Sequence, residues 1–283
     1  MSVHRLSSTD KKMNKLLILS FAIITFVACN LEKEIDLDLP EFESELVVEC
    51  YLEPGKPYRL NLFKTVSYYA PAGDVFNSLI TNAKVMITHN GIIDTLQVGL
   101  FANLDNFYTY GSPTIVPADY DNEFFLEVID SAGNVITSST KIMPPVPLDS
   151  IQTEPLTTGD ELIVLTYSQD DPNEVNFYRR MQYRTDATRT DSLKIDFVVN
   201  DELTSNGQLV LGGPPVFSRG DTMIVQSLSI TEAFYDYIES RERLEAANGN
   251  PFGQPGVLLS NINGGLGIFT GFTAVQDTFY LPE

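Results

Sequence analysis

Basic residues are scarce in this chain. Its 283 residues include 18 lysines and arginines against 38 aspartates and glutamates, which gives a formal net charge of -20 at pH 7. A nucleic-acid-binding protein needs cations that displace the counterions of the phosphate backbone, whereas a field of this sign repels that backbone. The composition therefore excludes nucleic acid as a partner.

Histidine, cysteine and tryptophan are also rare, with two, two and none. His4 lies within residues 1–28, which are predicted to be cleaved, and Cys29 is predicted to carry a lipid. His89 and Cys50 alone cannot supply the four nitrogen and sulfur ligands of a structural zinc site. His89 is the one histidine beyond residues 1–28, and its place before Asn90-Gly91 favours a role beside a turn over that of a general base. The many carboxylates leave a glycan hydrolase open, although the lack of tryptophan removes the usual surface for stacking sugar rings.

The N-terminal segment, residues 1–28, has the order of a bacterial signal peptide. Basic residues between positions 5 and 15 precede a mainly apolar stretch over 16–28, and Cys29 follows at once. A membrane-spanning helix needs about 20 apolar residues, so this shorter stretch favours a cleaved signal over a permanent anchor. Residues 26–29 resemble a lipobox, in which Cys29 accepts the lipid. An ordinary secretory signal with a coincidental cysteine is the alternative.

Residues 29–44 are predicted as a lipidated acidic tether. Because the segment is acidic, attraction to anionic lipid cannot hold the protein at a membrane, and acyl chains such as palmitate on Cys29 must do so. The acidic residues that follow Cys29 resemble the signal that sends lipoproteins of Bacteroidota to the cell surface. This resemblance implies an outer-membrane location that faces the cell exterior. A solvated acidic spacer is the simpler alternative.

The remaining residues, 45–283, are predicted to form an all-β protein. Alternating apolar and polar residues between turn formers predict an N-terminal immunoglobulin-like β-sandwich over 45–142. The proline-rich stretch 143–150 has few backbone donors and is predicted as a joint. Residues 151–283 are predicted as a second β-rich domain that carries one inserted α-helix. Strands are predicted at 46–52, 58–64, 83–88, 92–96, 123–130, 135–142, 162–168, 177–185, 193–200 and 222–229.

Cys50 lies within the alternating run 46–52. Val48, Cys50 and Leu52 share one face of this predicted strand. With Cys29 lipidated, no second cysteine is left to form a disulfide with Cys50. Cys50 is therefore predicted as a buried core residue.

The helix is predicted over 230–247. Ser229 and Glu232 have the spacing of a capping box, in which the hydroxyl and the carboxylate satisfy backbone donors at the helix N-terminus. The apolar face that follows includes Tyr237 and Ile238. We expect this face to pack on the second sheet in a structural role.

Two segments are candidate binding sites. The loop 67–76 presents three aromatic residues at an end of the predicted sandwich, with packing against the sandwich edge as the alternative. The acidic stretch 169–174 could hold Ca²⁺ but lacks the spacing of an EF-hand, and a turn before a strand also explains it. The candidate residues are Tyr68, Tyr69 and Phe76 in the loop, and Asp170, Asp171, Asn173 and Glu174 in the acidic stretch.

A glycine-rich stretch lies near the C-terminus. It lacks the dinucleotide-binding fingerprint, because Thr270 stands where the third glycine is needed. The stretch is instead predicted as a strand over 266–272 whose glycines let it bend or let another backbone approach closely. The residues of this structural motif are Asn261, Gly264, Gly265, Gly267 and Phe269.

Residues 250–252 (Asn-Pro-Phe) and 260–269 resemble the closing signature of a Bacteroidota lipoprotein family known only as domain of unknown function 4249. The lipobox, the start of the sandwich at 45–48, the proline-rich joint and Asp170-Asp171-Pro172 before Tyr178-Arg179 fit the same family. The resemblance covers nearly all of the mature chain. It implies a cell-envelope protein associated with TonB-dependent transport, and the family has no established catalytic residues to carry over.

Together these features predict a surface-exposed, lipid-anchored, two-domain β protein that acts by binding. Its expected partner is an outer-membrane protein, either a TonB-dependent transporter or another envelope complex. No catalytic residue, cofactor or nucleic-acid partner is predicted, and the sequence does not identify a ligand. A carboxylate-based glycan hydrolase and a structural or adhesion protein of the cell surface are the alternatives.

Overall fold

Short runs of alternating apolar and polar residues form most of the strands in the computed structural model. The structure describes residues 43–67, 77–102, 107–156, 159–185, 191–202, 204, 207–247 and 256–282. One helix, α1 (Glu232–Ala247), lies between the last two strands. The strands are β1 (Leu46–Leu52), β2 (Pro57–Lys64), β3 (Lys84–His89), β4 (Ile92–Ala102), β5 (Phe107–Ile115), β6 (Phe124–Ile129), β7 (Val135–Thr140), β8 (Ser150–Pro155), β9 (Glu161–Gln169), β10 (Phe177–Thr185), β11 (Asp191–Asn200), β12 (Gln208–Gly212), β13 (Phe217–Ser218), β14 (Thr222–Ile230) and β15 (Leu266–Tyr280).

Hydrogen bonds connect eleven of these strands in one continuous path, in the order β11-β10-β14-β15-β1-β2-β5-β4-β3-β6-β7. Strand β4 carries the path from one layer of the N-terminal sandwich to the other. Its first half pairs with β3 and its second half with β5, and the register breaks between Val98 and Phe101. Such a break lets a single strand bend and serve two layers.

The inward faces of both layers form the core of this sandwich. Val48, Cys50, Leu60, Phe124 and Ile136 are all fully buried in one cluster. Cys50 is a free thiol and packs as a core residue, as predicted. The fold is thus all-β and begins with an immunoglobulin-like β-sandwich, in agreement with the sequence.

A second pair of packed layers lies in the C-terminal half. Strands β8, β9, β12 and β13 form a separate four-stranded sheet. Its inward residues Leu162 and Val164 share a buried cluster with Ile195 of β11 and Val225 of β14. This half is the second β-rich portion that the sequence predicts.

Strand β15 is hydrogen-bonded to both halves of the chain. Residues 266–271 pair in parallel with β1, and residues 272–280 pair antiparallel with β14. Residues Glu43–Glu283 form one compact unit. Local sequence patterns do not predict the parallel pairing, and the two-domain division at 143–150 stays a prediction.

Helix α1 begins two residues later than predicted. Thr231 caps it, because its Oγ1 atom accepts a hydrogen bond from the backbone N–H of Phe234 at 3.3 Å. Ser229 instead pairs with β10 and β15 as part of β14. The predicted capping box is therefore wrong, since β14 continues through Ile230.

The buried face of α1 packs on the sheet as expected. Phe234, Tyr237 and Ile238 form a cluster with Leu228 of β14 and Ile268 of β15. Strands β5, β8, β12 and β13 were not predicted from the sequence. In the described ranges, no helix combines the length and the apolar character needed to cross a membrane.

Candidate binding sites

Four of the predicted site residues lie outside the described part of the structure. They are Cys29 in the N-terminal segment and Tyr68, Tyr69 and Phe76 in the loop after β2. Lipidation of Cys29 and binding by the aromatic loop therefore stay predictions.

The acidic stretch after β9 forms a hydrogen-bonded turn. The Oδ1 atom of Asp171 accepts the backbone N–H of Asn173 at 3.0 Å and its side-chain amide at 2.7 Å. These two bonds hold the pKa of Asp171 below its usual value. Glu174 donates its backbone N–H to the carbonyl of Asp171. Across the described residues, no three acidic, histidine or cysteine side chains are grouped so that they could hold a metal ion.

Asp170 takes part in a different arrangement beside a small cavity of about 180 Å³. Tyr178 donates its hydroxyl to Asp170, and Asn176 donates its side-chain amide at 3.2 Å. The neighbouring Asp201 is buried, and this burial, reinforced by a hydrogen bond with Asp170, raises the pKa of Asp201. The carboxyl groups of Asp170 and Asp201 therefore lie close together.

The glycine-rich segment forms a close backbone junction between β15 and β1. Gly264 and Gly267 have positive φ angles of 84° and 107°. A Cβ atom on Gly267 would overlap the carbonyl oxygen of Val48, and one on Gly265 would lie 2.6 Å from that of Leu46. Any other residue would force the two strands apart. The glycines thus serve the close backbone approach that the sequence favours.

Asn261 and Phe269 lie at the same junction. The side chain of Phe269 is fully buried in the core of the N-terminal sandwich. The amide of Asn261 is hydrogen-bonded to the backbone of Phe269. All five residues of the predicted motif are therefore close together and have structural roles.

His89 ends β3 directly before the predicted turn. Asn90 and Gly91 have φ angles of 49° and 76°, the left-handed conformation that a two-residue type I′ turn needs. The His89 ring stacks on Phe124 with their centroids 4.0 Å apart. Its Nε2 atom lies 3.1 Å from a carboxylate oxygen of Asp119. This setting agrees with the predicted role beside a turn.

The outer face of β3, β4, β6 and β7 carries an exposed groove of about 470 Å³, in which the large apolar side chains of Ile93 and Phe125 lie among polar residues that include Glu127. The strand register places Ile93, Thr88 and Phe125 side by side in one row across three strands. Ile93 is 62% exposed and Phe125 is 51% exposed. Met86 and Ser139 also line the groove. Large apolar side chains that share an exposed face are typical of a protein-binding surface.

The sequence contains a signal for the exposed apolar residues of this groove. In the run Phe124-Phe125 the strand alternation sends one aromatic ring into the core and the other to the outside. At Ile92-Ile93 both side chains are exposed, by 74% and 62%. Consecutive large apolar residues in a strand with one solvated face therefore mark an exposed apolar position.

Comparison with known proteins gives one match over most of the chain. The model of the family described as "Domain of unknown function (DUF4249)" matches residues 32–278. No curated protein matches the chain. Among solved structures, the two-domain fibronectin type-III segment from chicken tenascin is similar, with 10% sequence identity and a TM-score of 0.21, over 66% of this chain and 91% of that one.

Proposed function

This chain belongs to the DUF4249 family, and from that premise we propose that it is a lipid-anchored protein of the bacterial cell envelope that acts by binding. The proposed partner is an outer-membrane protein, most specifically a TonB-dependent transporter. The proposed contact surface is the outer face of β3, β4, β6 and β7. In this function the lipid on Cys29 holds the protein at the membrane, facing the cell exterior.

The N-terminal sequence supports the anchoring part of the proposal. A basic and then apolar leader ends directly before Cys29, in the order that lipoprotein processing needs. Attachment in the plane of a membrane raises the effective concentration of the protein near any membrane partner. The acidic tether 29–44 sets how far the folded part can reach from the lipid.

The exposed apolar side chains of Ile93 and Phe125 in this groove are the observation that carries the binding part of the proposal. Ile93 and Phe125 lie in one row on the outer face, on either side of Thr88. Protein interfaces have apolar and aromatic side chains at their centre and polar side chains at their rim. Here Thr137 and Ser139 of β7 supply polar groups at one margin of the groove.

A pair of matched double variants tests this proposal in native membranes. Ile93→Asp with Phe125→Asp places two charges in the groove, and we expect recovery of a cross-linked transporter to fall by about tenfold or more, because buried charge opposes association. Leu100→Asp with Phe107→Asp is the control. Those two residues belong to the same sandwich and are 78% and 66% exposed, but they do not line the groove.

Quantitative mass spectrometry of the cross-linked material measures the outcome. Equal recovery of the transporter with both double variants would show that the groove is not the contact surface. If the unaltered protein forms cross-links to no transporter, the proposed partner is wrong. Release of sugar from glycans by the purified protein would instead support the glycan hydrolase.

A further inference from the structure

A second groove, of about 370 Å³, lies on the outer face of the layer that contains β1, β2, β5 and β15. Helix α1 covers the neighbouring part of the same face through Phe234. The volume falls within the range of about 300 to 1,000 Å³ that is typical of small-molecule sites. The groove is lined by Tyr51, Glu53, Lys56, Pro57, Arg59, Ala102, Tyr108 and Phe272.

The guanidinium group of Arg59 is held in a fixed position in this groove. Its Nη1 atom donates to the backbone carbonyls of Tyr58 and Ser112, at 2.7 and 2.9 Å. Its Cζ atom lies 4.4 Å from the centre of the Phe101 ring. The remaining donors, Nε and Nη2, have no hydrogen-bond acceptor among the described residues. Arginine donors that are already oriented lose little entropy when they bind an anion.

Gly111 makes room for this arrangement. A Cβ atom at position 111 would lie 2.6 Å from Nη1 of Arg59 and 3.0 Å from the ring of Phe101. A larger residue would therefore displace the guanidinium group from the ring. The stacked position of Arg59 thus depends on a glycine in the middle of β5.

Lys56 adds a second cation to the rim of the groove. It follows Gly55, whose φ of 82° gives the turn between β1 and β2, and its side chain is exposed. Within the described ranges neither Lys56 nor Arg59 forms an ion pair, whereas Arg179, Arg184 and the helix arginines do. Glu53 is the one acidic residue among the described residues of the lining, so these residues together carry more positive than negative charge, in a chain of net charge -20.

Aromatic side chains form the floor and wall of the groove. Both Tyr51 and Phe272 pack against Phe234 of α1. The centroid of the Phe234 ring lies 5.6 Å from that of Tyr51 and 6.5 Å from that of Phe272. Burial raises the pKa of Tyr51, so its hydroxyl stays protonated and can donate a hydrogen bond. Tyr108 lines the opposite side. The groove therefore combines flat aromatic surface with two cationic groups.

We infer that this groove binds a small organic anion in which a carboxylate is attached to a ring. The carboxylate meets the Nε and Nη2 donors of Arg59 and the ammonium group of Lys56, since a guanidinium fork matches a carboxylate in geometry and charge. The ring lies against Tyr51, Tyr108 and Phe272. Two kinds of molecule have this chemistry, an acidic sugar and an aromatic acid. The site is distinct from the protein-binding groove on β3, β4, β6 and β7.

Binding to the full chain is measured by titration calorimetry at low ionic strength, with glucuronate and benzoate as probes and glucose and benzamide as their neutral counterparts. We expect at least one acid to bind with a Kd below about 1 mM and its neutral counterpart to bind about tenfold more weakly. Binding of glucuronate alone identifies an acidic sugar as the source of the ligand. Binding of benzoate alone identifies an aromatic acid. Binding of both supports the shared chemistry.

Two variants with the same change of charge locate the site. Lys56→Glu should weaken binding of the acid by about tenfold, because it replaces attraction with repulsion at the groove. Lys64→Glu is the control, since Lys64 is also exposed but lies outside the lining, and it should change the Kd by less than about twofold. The inference is overturned if neither acid binds saturably, or if both variants weaken binding equally.

Discussion

The side-chain amide of Asn261 pairs with both backbone groups of Phe269. Its Nδ2 atom donates to the Phe269 carbonyl at 2.7 Å, and its Oδ1 atom accepts the Phe269 N–H at 3.0 Å. The Asn261 side chain thus makes the two hydrogen bonds that the backbone of a neighbouring strand would otherwise make with Phe269. It fixes the segment before β15 beside the strand at the point where the Phe269 side chain enters the core.

Asn261→Asp should destabilise the protein by about 1 to 3 kcal/mol. The substitution removes the donor to the Phe269 carbonyl and places a carboxylate oxygen beside that acceptor. Urea unfolding followed by circular dichroism measures the change. Asn263→Asp is the matched control, because Asn263 is exposed and joins Thr137 through backbone atoms. Equal unfolding midpoints for the two variants would show that the Asn261 pairing contributes little.

Gly267→Ala should destabilise the protein more than Gly133→Ala. Both glycines have positive φ, 107° and 88°, so both substitutions carry a conformational cost of about 1 to 2 kcal/mol. A Cβ atom on Gly133 meets nothing within 4 Å, whereas one on Gly267 would overlap the backbone of Val48. The overlap should add about 1 to 3 kcal/mol or prevent folding. Equal melting temperatures of the two variants would disprove the close approach of the two backbones at Gly267.

Arg180→Met should stabilise the protein by about 1 to 4 kcal/mol. Arg180 is completely buried between the C-terminal sheets, and none of its side-chain nitrogens has a hydrogen-bond partner in the described part of the chain. Desolvation lowers the pKa of Arg180 to about 10, so the group is still charged at neutral pH. A buried charge without a partner opposes folding, and methionine keeps much of its volume.

The control for this substitution is Arg184→Met on the same strand. Arg184 is partly exposed, and its Nη1 atom lies 3.7 Å from Asp221, so its replacement should change the free energy of unfolding by less than about 1 kcal/mol. Chemical denaturation measures both variants. A loss of stability in Arg180→Met greater than about 3 kcal/mol would mean that the guanidinium group has a partner in solution.

The thiol of Cys50 should resist alkylation in the native protein. Burial in the core raises its pKa above the usual value, and only the thiolate reacts readily. We expect iodoacetamide at pH 8 to modify Cys50 slowly in buffer and quickly in concentrated urea, as measured by peptide mass spectrometry. Similar rates under the two conditions would contradict the buried position of Cys50.

Local sequence signals predicted much of this fold. Strand β10 spans the predicted residues 177–185, and Asn90-Gly91 forms the predicted turn between two strands. These elements depend on alternation and on backbone conformations that few residues adopt. The start of α1 was misplaced because Ser229 has the right chemistry for a cap but is already held in β14 by pairing on both sides.

Pairing between distant parts of the chain was not predictable from local patterns. The parallel register of β15 with β1, such as Cys50 beside Phe269, joins the two ends of the described structure. Strand β5 was missed because Gly111 and Pro113 interrupt its pattern. The groove around Arg59 was missed for a related reason, since its lining comes from strands that are far apart in sequence.

The proposed envelope function depends first on the lipid at Cys29. Mass spectrometry of the N-terminal peptide, from protein purified out of native membranes, is the most direct test of it. We predict that the mature chain begins at Cys29 and carries acyl chains on that residue, and that Cys29→Ala leaves the leader uncleaved and abolishes the acyl mass. An N-terminal peptide with unmodified Cys29, or cleavage at another bond, would contradict the anchoring on which the proposal rests.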